Sequence, residues 1–462
     1  MATHVRDSDG QRRLLVITYH FPPDGSVGGL RWAGMSKYLA RRGWEVHVVT
    51  ASAQGASVPV RGVEVHHRAR YRTLDDVYNT WIRRIRASSG HAAKPSAPAM
   101  AQAGERPTGA AGWIRNNLAM ALAFPDHGRG WITPATLTVR RLLRERRFDA
   151  VITSGPPHSA HLVGALACSG VSVPLWVDMR DPWAGLLEAA WAKTIFSSAA
   201  SRFLVRRLER AVLRRAHRVV TNTAEFADVL RGSYPELRVS YVPNGIDSER
   251  LPPAAVEKFD GLAIAYVGSL YAGRDLSSVL RAMRAFLTRQ PDALGALKLR
   301  IAGGMDAAHE AQFRRDVAAT DLGDVVETLG QVSNTEALDL VNRSHLTLVL
   351  AQNQPMQVPA KLYECVAMGI PTLVITESTS AAAREASRIG AMVYEAADVE
   401  GICAAIQRLW RDRTPAVAPA SSLDYDDISA QLDALLLGAP ARPDTAARRA
   451  ARSTLEPDTT RR

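Results

Sequence analysis

The stretch QVPAKLYECVAMGIPTLVI (357–375) puts Lys361 and Glu364 on one face of a short helix that leads into a buried strand. A lysine at that place can balance phosphate charge. A glutamate one turn on can accept hydrogen bonds from a vicinal diol such as ribose. The amides of the helix start would serve the phosphates. A solvated helix face is the plain alternative. Upstream, YVGSLYAGRDL runs from a strand through Gly268, Ser269 and Gly273 to Arg274, where an arginine can grip a diphosphate in a bidentate way. LRIAGG likewise ends a strand in Gly303 and Gly304. In the first half, Gly25, Gly28 and Gly29 stand between a strand and a helix, where glycine lets backbone amides approach an anion or simply supplies a positive φ. LWVDMRDPW sets Asp178, Arg180 and Asp181 beyond a buried strand; such a cluster is costly inside and natural at a cleft, with a structural ion pair as the alternative.

Other patterns point away from chemistry. Neither G-x-G-x-x-G nor G-x-x-x-x-G-K-[ST] occurs at the first loop, so a dinucleotide fingerprint or a P-loop is not supported. His158 and His161 have helix-face spacing but no further ligand, and metal is not expected there. Asp424-x-Asp426 precedes the amphipathic ISAQLDALLL and reads as helix capping. Cys168, Cys365 and Cys403 are widely separated and read as reduced core residues, with no zinc site and no disulfide framework.

The elements that must position these residues alternate strand and helix. RLLVITYH, WEVHVVTA, FDAVITSG, VPLWVDMR and AHRVVTNT form a first series; LAIAYVGSL, LKLRIAGG, VVETLGQV, HLTLVLAQ, PTLVITE and AMVYEA form a second. The expected fold class is α/β, with two doubly wound Rossmann-like domains whose strand ends face a cleft. The expected boundaries are a disordered start at 1–12, a first domain at 13–250, a second domain at 251–437 that includes the final helix, and a disordered basic tail at 438–462. Within the first domain, residues 87–112 are rich in Ala, Pro, Gly and Ser and read as a mobile loop.

At 462 residues the chain exceeds one typical core, in accord with two domains. A net charge of +11 favours anionic partners, yet the basic residues are scattered and aromatics are only 6%, which argues against nucleic acid. The densest basic stretch is 202–218. It reads as a helix with a core stripe at Leu204, Leu208 and Val212 and a basic face at Arg202, Arg206, Arg210 and Arg214. A solvated face or contact with anionic lipid headgroups would suit it. No apolar run approaches 18 residues, and the polar start lacks a signal-peptide core; a cytoplasmic protein, peripheral at the inner membrane face, is the expectation.

Five stretches in order resemble GT-B-fold glycosyltransferases of the large retaining family 4, and specifically the subgroup of bacterial exopolysaccharide, capsule and O-antigen synthesis. They are YHFPPDGSVGGLRWAGMSKYLARRGWEVHVVT, DAVITSGPPHSAHLVGAL, VDMRDPW, VPNGID and VPAKLYECVAMGIPTLV, spanning roughly residues 13 to 412. The resemblance implies a hexosyl or N-acetylhexosaminyl transferase without a bound cofactor or metal. Its donor would be a nucleotide-diphosphate sugar, and its acceptor a saccharide or lipid-linked saccharide. It implies donor contacts from Gly28, Gly29, Gly268, Ser269, Arg274, Lys361 and Glu364, and places Asp178, Arg180 and Asp181 at the position of the catalytic residues. The chain departs from the family pattern at Met356, where a first glutamate usually contacts the transferred sugar. It also has no histidine directly after the LWV strand. A nucleotide-sugar epimerase of the same fold, or an idle homologue acting as a scaffold, are the competing readings.

Overall fold

The computed structural model describes residues 10–24, 27–51, 60–74, 76, 80, 124–183, 199–253, 257–270, 273–412 and 423–438. Gly25, the 87–112 loop and the tail beyond 438 lie outside the described residues.

Two parallel sheets organise the chain. The first holds β1 (Arg12–Thr18), β2 (Trp44–Thr50), β3 (Val63–His67), β4 (Ala150–Gly155), β5 (Leu175–Met179), β6 (Arg218–Thr221) and β7 (Val239–Tyr241). Their order is β3-β2-β1-β4-β5-β6-β7. The second holds β8 (Leu262–Val267), β9 (Leu297–Ala302), β10 (Val326–Gly330), β11 (Leu346–Leu350), β12 (Thr372–Ile375) and β13 (Met392–Tyr394), in the order β10-β9-β8-β11-β12-β13. In both, the order reverses beside the first strand, and that is where a doubly wound sheet opens a crevice at its carboxyl edge. The central strands β1, β4, β5, β8 and β11 are buried almost throughout, as parallel strands covered on both faces must be.

Helices cover both faces. In the first domain, α1 (Val27–Arg41) lies on one side, and α2 (Arg129–Glu145), α3 (Ser159–Ala167), α4 (Ala199–Leu213) and α5 (Ala224–Ser233) follow on from their strands. In the second, α6 (Ser277–Arg289), α7 (Ala307–Thr320), α8 (Asn334–Arg343), α9 (Ala360–Ala367), α10 (Ala381–Arg388) and α11 (Val399–Asp412) do the same. The largest core joins β8, β9, β11 and β12 to α6 and α11 through Leu280, Met283, Phe286, Ile402 and Ile406.

The closing helix α12 (Tyr425–Leu437), drawn in the sequence with the second domain, returns to the first. Tyr425, Ile428, Leu432 and Leu436 pack with Trp32, Met35 and Leu39 of α1. Gly34 makes room for the Tyr425 ring, which a Cβ there would strike. The two chain crossings between the domains pair as a short parallel bridge: Ile246 N–H donates to Leu423 O (2.9 Å), and Tyr425 N–H donates to Ile246 O (2.7 Å). The edge strands β3 and β7 extend the sheet beyond the five strands legible in the sequence. Each is short and only part-buried, so the apolar run that marks a central strand is missing.

Helix α4 corrects the expected stripe. Val205, Val212 and Leu213 are buried, Leu208 is half-buried, and Leu204 stands 52% exposed beside Phe203 at 61%. The buried face is rotated by one residue because Glu209 also turns inward, where it accepts a hydrogen bond from Tyr234 Oη (2.9 Å).

Candidate active site

The carboxyl ends of β8 and β9 form one laced unit. Gly268 N–H donates to Ala302 O (2.7 Å) and Leu270 N–H to Gly304 O (3.0 Å). Gly268 has φ +136 and Gly303 φ +147, so both need glycine, and a Cβ on Gly303 would collide with the Gly268 carbonyl. Into this crossing reaches Lys361 from the first turn of α9. Its Nζ donates to Val267 O (2.8 Å) and lies 4.2 Å from the centroid of the Tyr266 ring. A Cβ on Gly268 would stand 2.7 Å from that Nζ, so the bare glycine is what admits the lysine. Helix α9 begins after Pro359 with no side-chain cap; Leu362 N–H turns back to Pro359 O (3.0 Å), and the amides of Ala360 and Lys361 before it face the helix start.

Burial, and then the neighbouring Arg274, push the Lys361 amine down to about 7. No carboxylate pairs with it among the described residues, although Glu364 one turn on contributes some opposing attraction. Burial raises the Glu364 carboxyl, and Arg250 and Lys361 pull it partly back. Arg274 Nη2 donates to Gln354 Oε1 (2.8 Å), and Asn353 Nδ2 donates to Gly273 O (3.2 Å), so the 273–275 and 352–354 loops are tied together. Ser269 Oγ lies 3.7 Å from where a Cβ on Gly304 would sit. The structure therefore gathers Gly268, Ser269, Lys361 and Gly304 at one crossing. Glu364 follows one turn along α9, and Arg274 is close enough to act on the Lys361 charge.

In the first domain, Gly28 and Gly29 form the first turn of α1. Gly29 lets that turn close on Phe21, whose backbone would be 3.0 Å from a Cβ. Gly28 faces the Arg180 guanidinium and the His20 ring, which a Cβ there would meet at 3.3 Å and 3.4 Å. Arg180 is anchored by Nη2 to Pro156 O (2.8 Å) and Nε to Gly155 O (3.2 Å). A guanidinium at a helix N-terminus meets like polarity, and an anion there would satisfy both. His20 Nδ1 is 2.6 Å from Asp24 Oδ2, a carboxylate-oriented imidazole beside Gly28 whose only signal in the sequence is the i, i+4 pair in YHFPPD. Such a pair can hold or move a proton.

The Asp178–Arg180–Asp181 cluster is split by the fold. Asp178, 1% exposed, accepts from Arg31 (3.2 Å on each oxygen), from Trp32 Nε1 (2.8 Å) and from Ser154 Oγ (2.8 Å). Those bonds lock α1 onto β4 and β5, so the carboxylate serves as a structural anchor. Arg180 points to the α1 turn. Asp181 reaches the other domain and accepts from Gln357 Nε2 (2.7 Å).

Further bonds cross between the domains. Thr223 Oγ donates to Met356 O (2.8 Å), and Arg384 pairs with Glu225 (2.6 Å). Met356, at the place of the departure from the family pattern, packs its side chain against the first domain's core. Tyr425 stands between the domains and feels charge from Arg31 and Arg180 on one side and Glu364 on the other. His158 and His161 are buried and pushed down to about 3, His158 stacking on Trp183 at 4.8 Å; they are packing residues that stay neutral.

Comparison with known proteins fits this geometry. Residues 28–245 match the glycosyl transferase 4-like domain family, and residues 261–412 match the glycosyl transferases group 1 family. No curated protein matches the chain in sequence. Among similar solved structures is a trehalose-6-phosphate synthase, OtsA, at 15% identity and TM-score 0.61, covering 94% of this chain and 100% of that one. Another is the UDP-forming α,α-trehalose-phosphate synthase from Burkholderia xenovorans in complex with glucose-6-phosphate, at 16% identity and TM-score 0.59, covering 92% and 100%. A sucrose-phosphate synthase from Thermosynechococcus elongatus shares 14% identity with TM-score 0.54, covering 92% and 95%. At these identities the likeness is one of fold.

Proposed function

We propose that this chain, which belongs to the GT-B glycosyltransferases, is a retaining hexosyl or N-acetylhexosaminyl transferase. It would take a nucleotide-diphosphate sugar as donor and a saccharide or lipid-linked saccharide as acceptor, in cell-surface polysaccharide or glycoconjugate assembly. The observation that carries this reading is Lys361: a part-buried amine without a carboxylate partner among the described residues, set at an uncapped helix start against two glycine turns. A diphosphate supplies the missing charge, and Glu364 on the same face would take the ribose hydroxyls. Arg274 and the α9 amides would stabilise the leaving diphosphate without a metal. In the transfer, the bond from the anomeric carbon to the diphosphate oxygen breaks, a bond to the acceptor oxygen forms on the same face, and the acceptor's proton passes to the leaving phosphate.

Across the cleft, the α1 turn with Arg180 and the His20–Asp24 pair would receive the sugar and acceptor. No helix among the described residues is long and apolar enough to cross a membrane. The exposed Phe203 and Leu204 beside Arg206 and Arg207 on α4 suit docking on anionic headgroups. The protein would then work at a membrane's surface. Loss of binding to anionic vesicles at low salt in Phe203→Ser/Leu204→Ser would support that contact; a wild type that ignores such vesicles removes it.

The deciding experiment is calorimetric titration of UDP, GDP and ADP into the wild type and Glu364→Ala. Binding of one nucleotide, weakened in the variant by about 1.5–3 kcal/mol, is the expected result. UDP comes first because similar folds are named as UDP-forming synthases. Equal affinity of both proteins for every nucleotide would overturn the assignment.

A further inference from the structure

Away from the cleft, at the outer edge of the first sheet, three metal-ligating side chains meet. We propose that His47, Glu64 and His66 form a binding site for a zinc-class divalent cation that fastens the edge strand β3 to β2. Their ligand atoms lie within 4.8 Å of one another. Strand register brings them together: His47 is paired with Glu64, and His66 follows two residues on, on the same face. No spacing within one segment could have announced the set.

The separations suit zinc. His47 Nδ1 is 3.2 Å from His66 Nε2 and 3.3 Å from Glu64 Oε2, and His66 Nε2 is 3.6 Å from Glu64 Oε1. Ligands about 2.05 Å from a tetrahedral ion are about 3.3 Å apart. The two imidazole nitrogens stand at the length of one such edge, while Glu64 turns a different oxygen to each histidine. Taken with one carboxylate oxygen, the three ligand atoms lie within 4.8 Å, so a small turn of that carboxylate closes the set on an ion and leaves one corner for water. Two imidazoles and a carboxylate favour zinc over calcium or magnesium, which prefer all-oxygen sets.

The surroundings prepare His47 as a ligand. Its Nε2 lies 2.8 Å from Glu45 Oε1 and 3.3 Å from Arg146 Nη1; with the proton on Nε2, given to Glu45, the Nδ1 lone pair turns to the shared space, and Arg146 is the group that competes with this tautomer. Glu45 is itself held by Arg13 Nε (2.7 Å) and Arg146 Nη1 (3.1 Å). The His47 ring is buried and set edge-on against Phe148, 5.2 Å between centroids, so it is already fixed. Arg146 Nη1 also reaches Glu64 Oε2 (3.2 Å) and competes with an ion for that oxygen, while Oε1 stays turned to His66. Glu64 is about half exposed, which gives the ion a path in.

The test is titration of the metal-stripped full chain with zinc chloride against a chromophoric chelator, repeated with cobalt(II) to read coordination from its visible bands. The wild type should take up about one equivalent, show tetrahedral cobalt bands and melt at higher temperature when loaded. Glu64→Gln/His66→Asn alters two side chains that reach solvent, so circular dichroism should be unchanged while the equivalent and the cobalt bands are lost. Glu45→Gln should weaken zinc about 10–100-fold by releasing the His47 ring. A wild type that binds no zinc, or a double variant that keeps it with full affinity, overturns the proposal.

Discussion

Replacing Lys361 by methionine should make the ligand-free protein more stable and a worse binder of diphosphates. Burial lowers the folded amine from 10.5 to about 7. At pH 7 the unfolded chain holds that proton fully and the folded chain about half. At about 1.4 kcal/mol per unit, full burial would cost roughly 4 kcal/mol. The side chain keeps some access to the cleft, which reduces the penalty to about 2 kcal/mol. The sign follows from the depressed folded value. Between about 7 and 10.5 the unfolded state binds more protons, so wild-type stability gains with rising pH and the advantage of Lys361→Met shrinks over that window. Melting temperatures at pH 7 and pH 10 would read this as a gap of roughly 4–8 °C that narrows. Calorimetry should show nucleoside diphosphate affinity down about 10–100-fold, with the matching nucleoside unaffected. A variant less stable than wild type at pH 7, with equal losses for nucleoside and diphosphate, would refute the reasoning.

Two further outcomes follow from the same geometry. Gly268→Ala meets both an unfavourable φ of +136 and Lys361 Nζ at 2.7 Å. It should cost about 1–3 kcal/mol of stability and displace the lysine, with diphosphate affinity lost; wild-type affinity in a folded variant would show that the lysine is not held there. Asp178→Asn leaves the Arg31 charge buried without its counter-ion. It should destabilise by about 3 kcal/mol, read as denaturant midpoint, while residual activity per folded molecule stays near wild type. Normal stability with activity abolished would instead place Asp178 in the chemistry.

What the sequence by itself determined was local and periodic. Short continuous apolar runs such as LLVIT and LTLVL, bounded by turn residues, read as covered parallel strands, and their alternation with amphipathic segments determined two doubly wound sheets. Glycines after β8 and β9, and Lys361 with Glu364 on one turn of α9, were legible because both signals sit within a few residues. Tertiary structure decided whatever depends on which distant segments meet. The acid-base-acid cluster after β5 was visible as a string, but only packing showed Asp178 turned inward to Arg31 and Trp32 while Asp181 reaches Gln357. The one-residue rotation of α4 depended on where Glu209 found Tyr234. The return of α12 to α1 depended on the space left by Gly34 for Tyr425. His47, Glu64 and His66 meet solely through strand register, a long-range property that no spacing along the chain records.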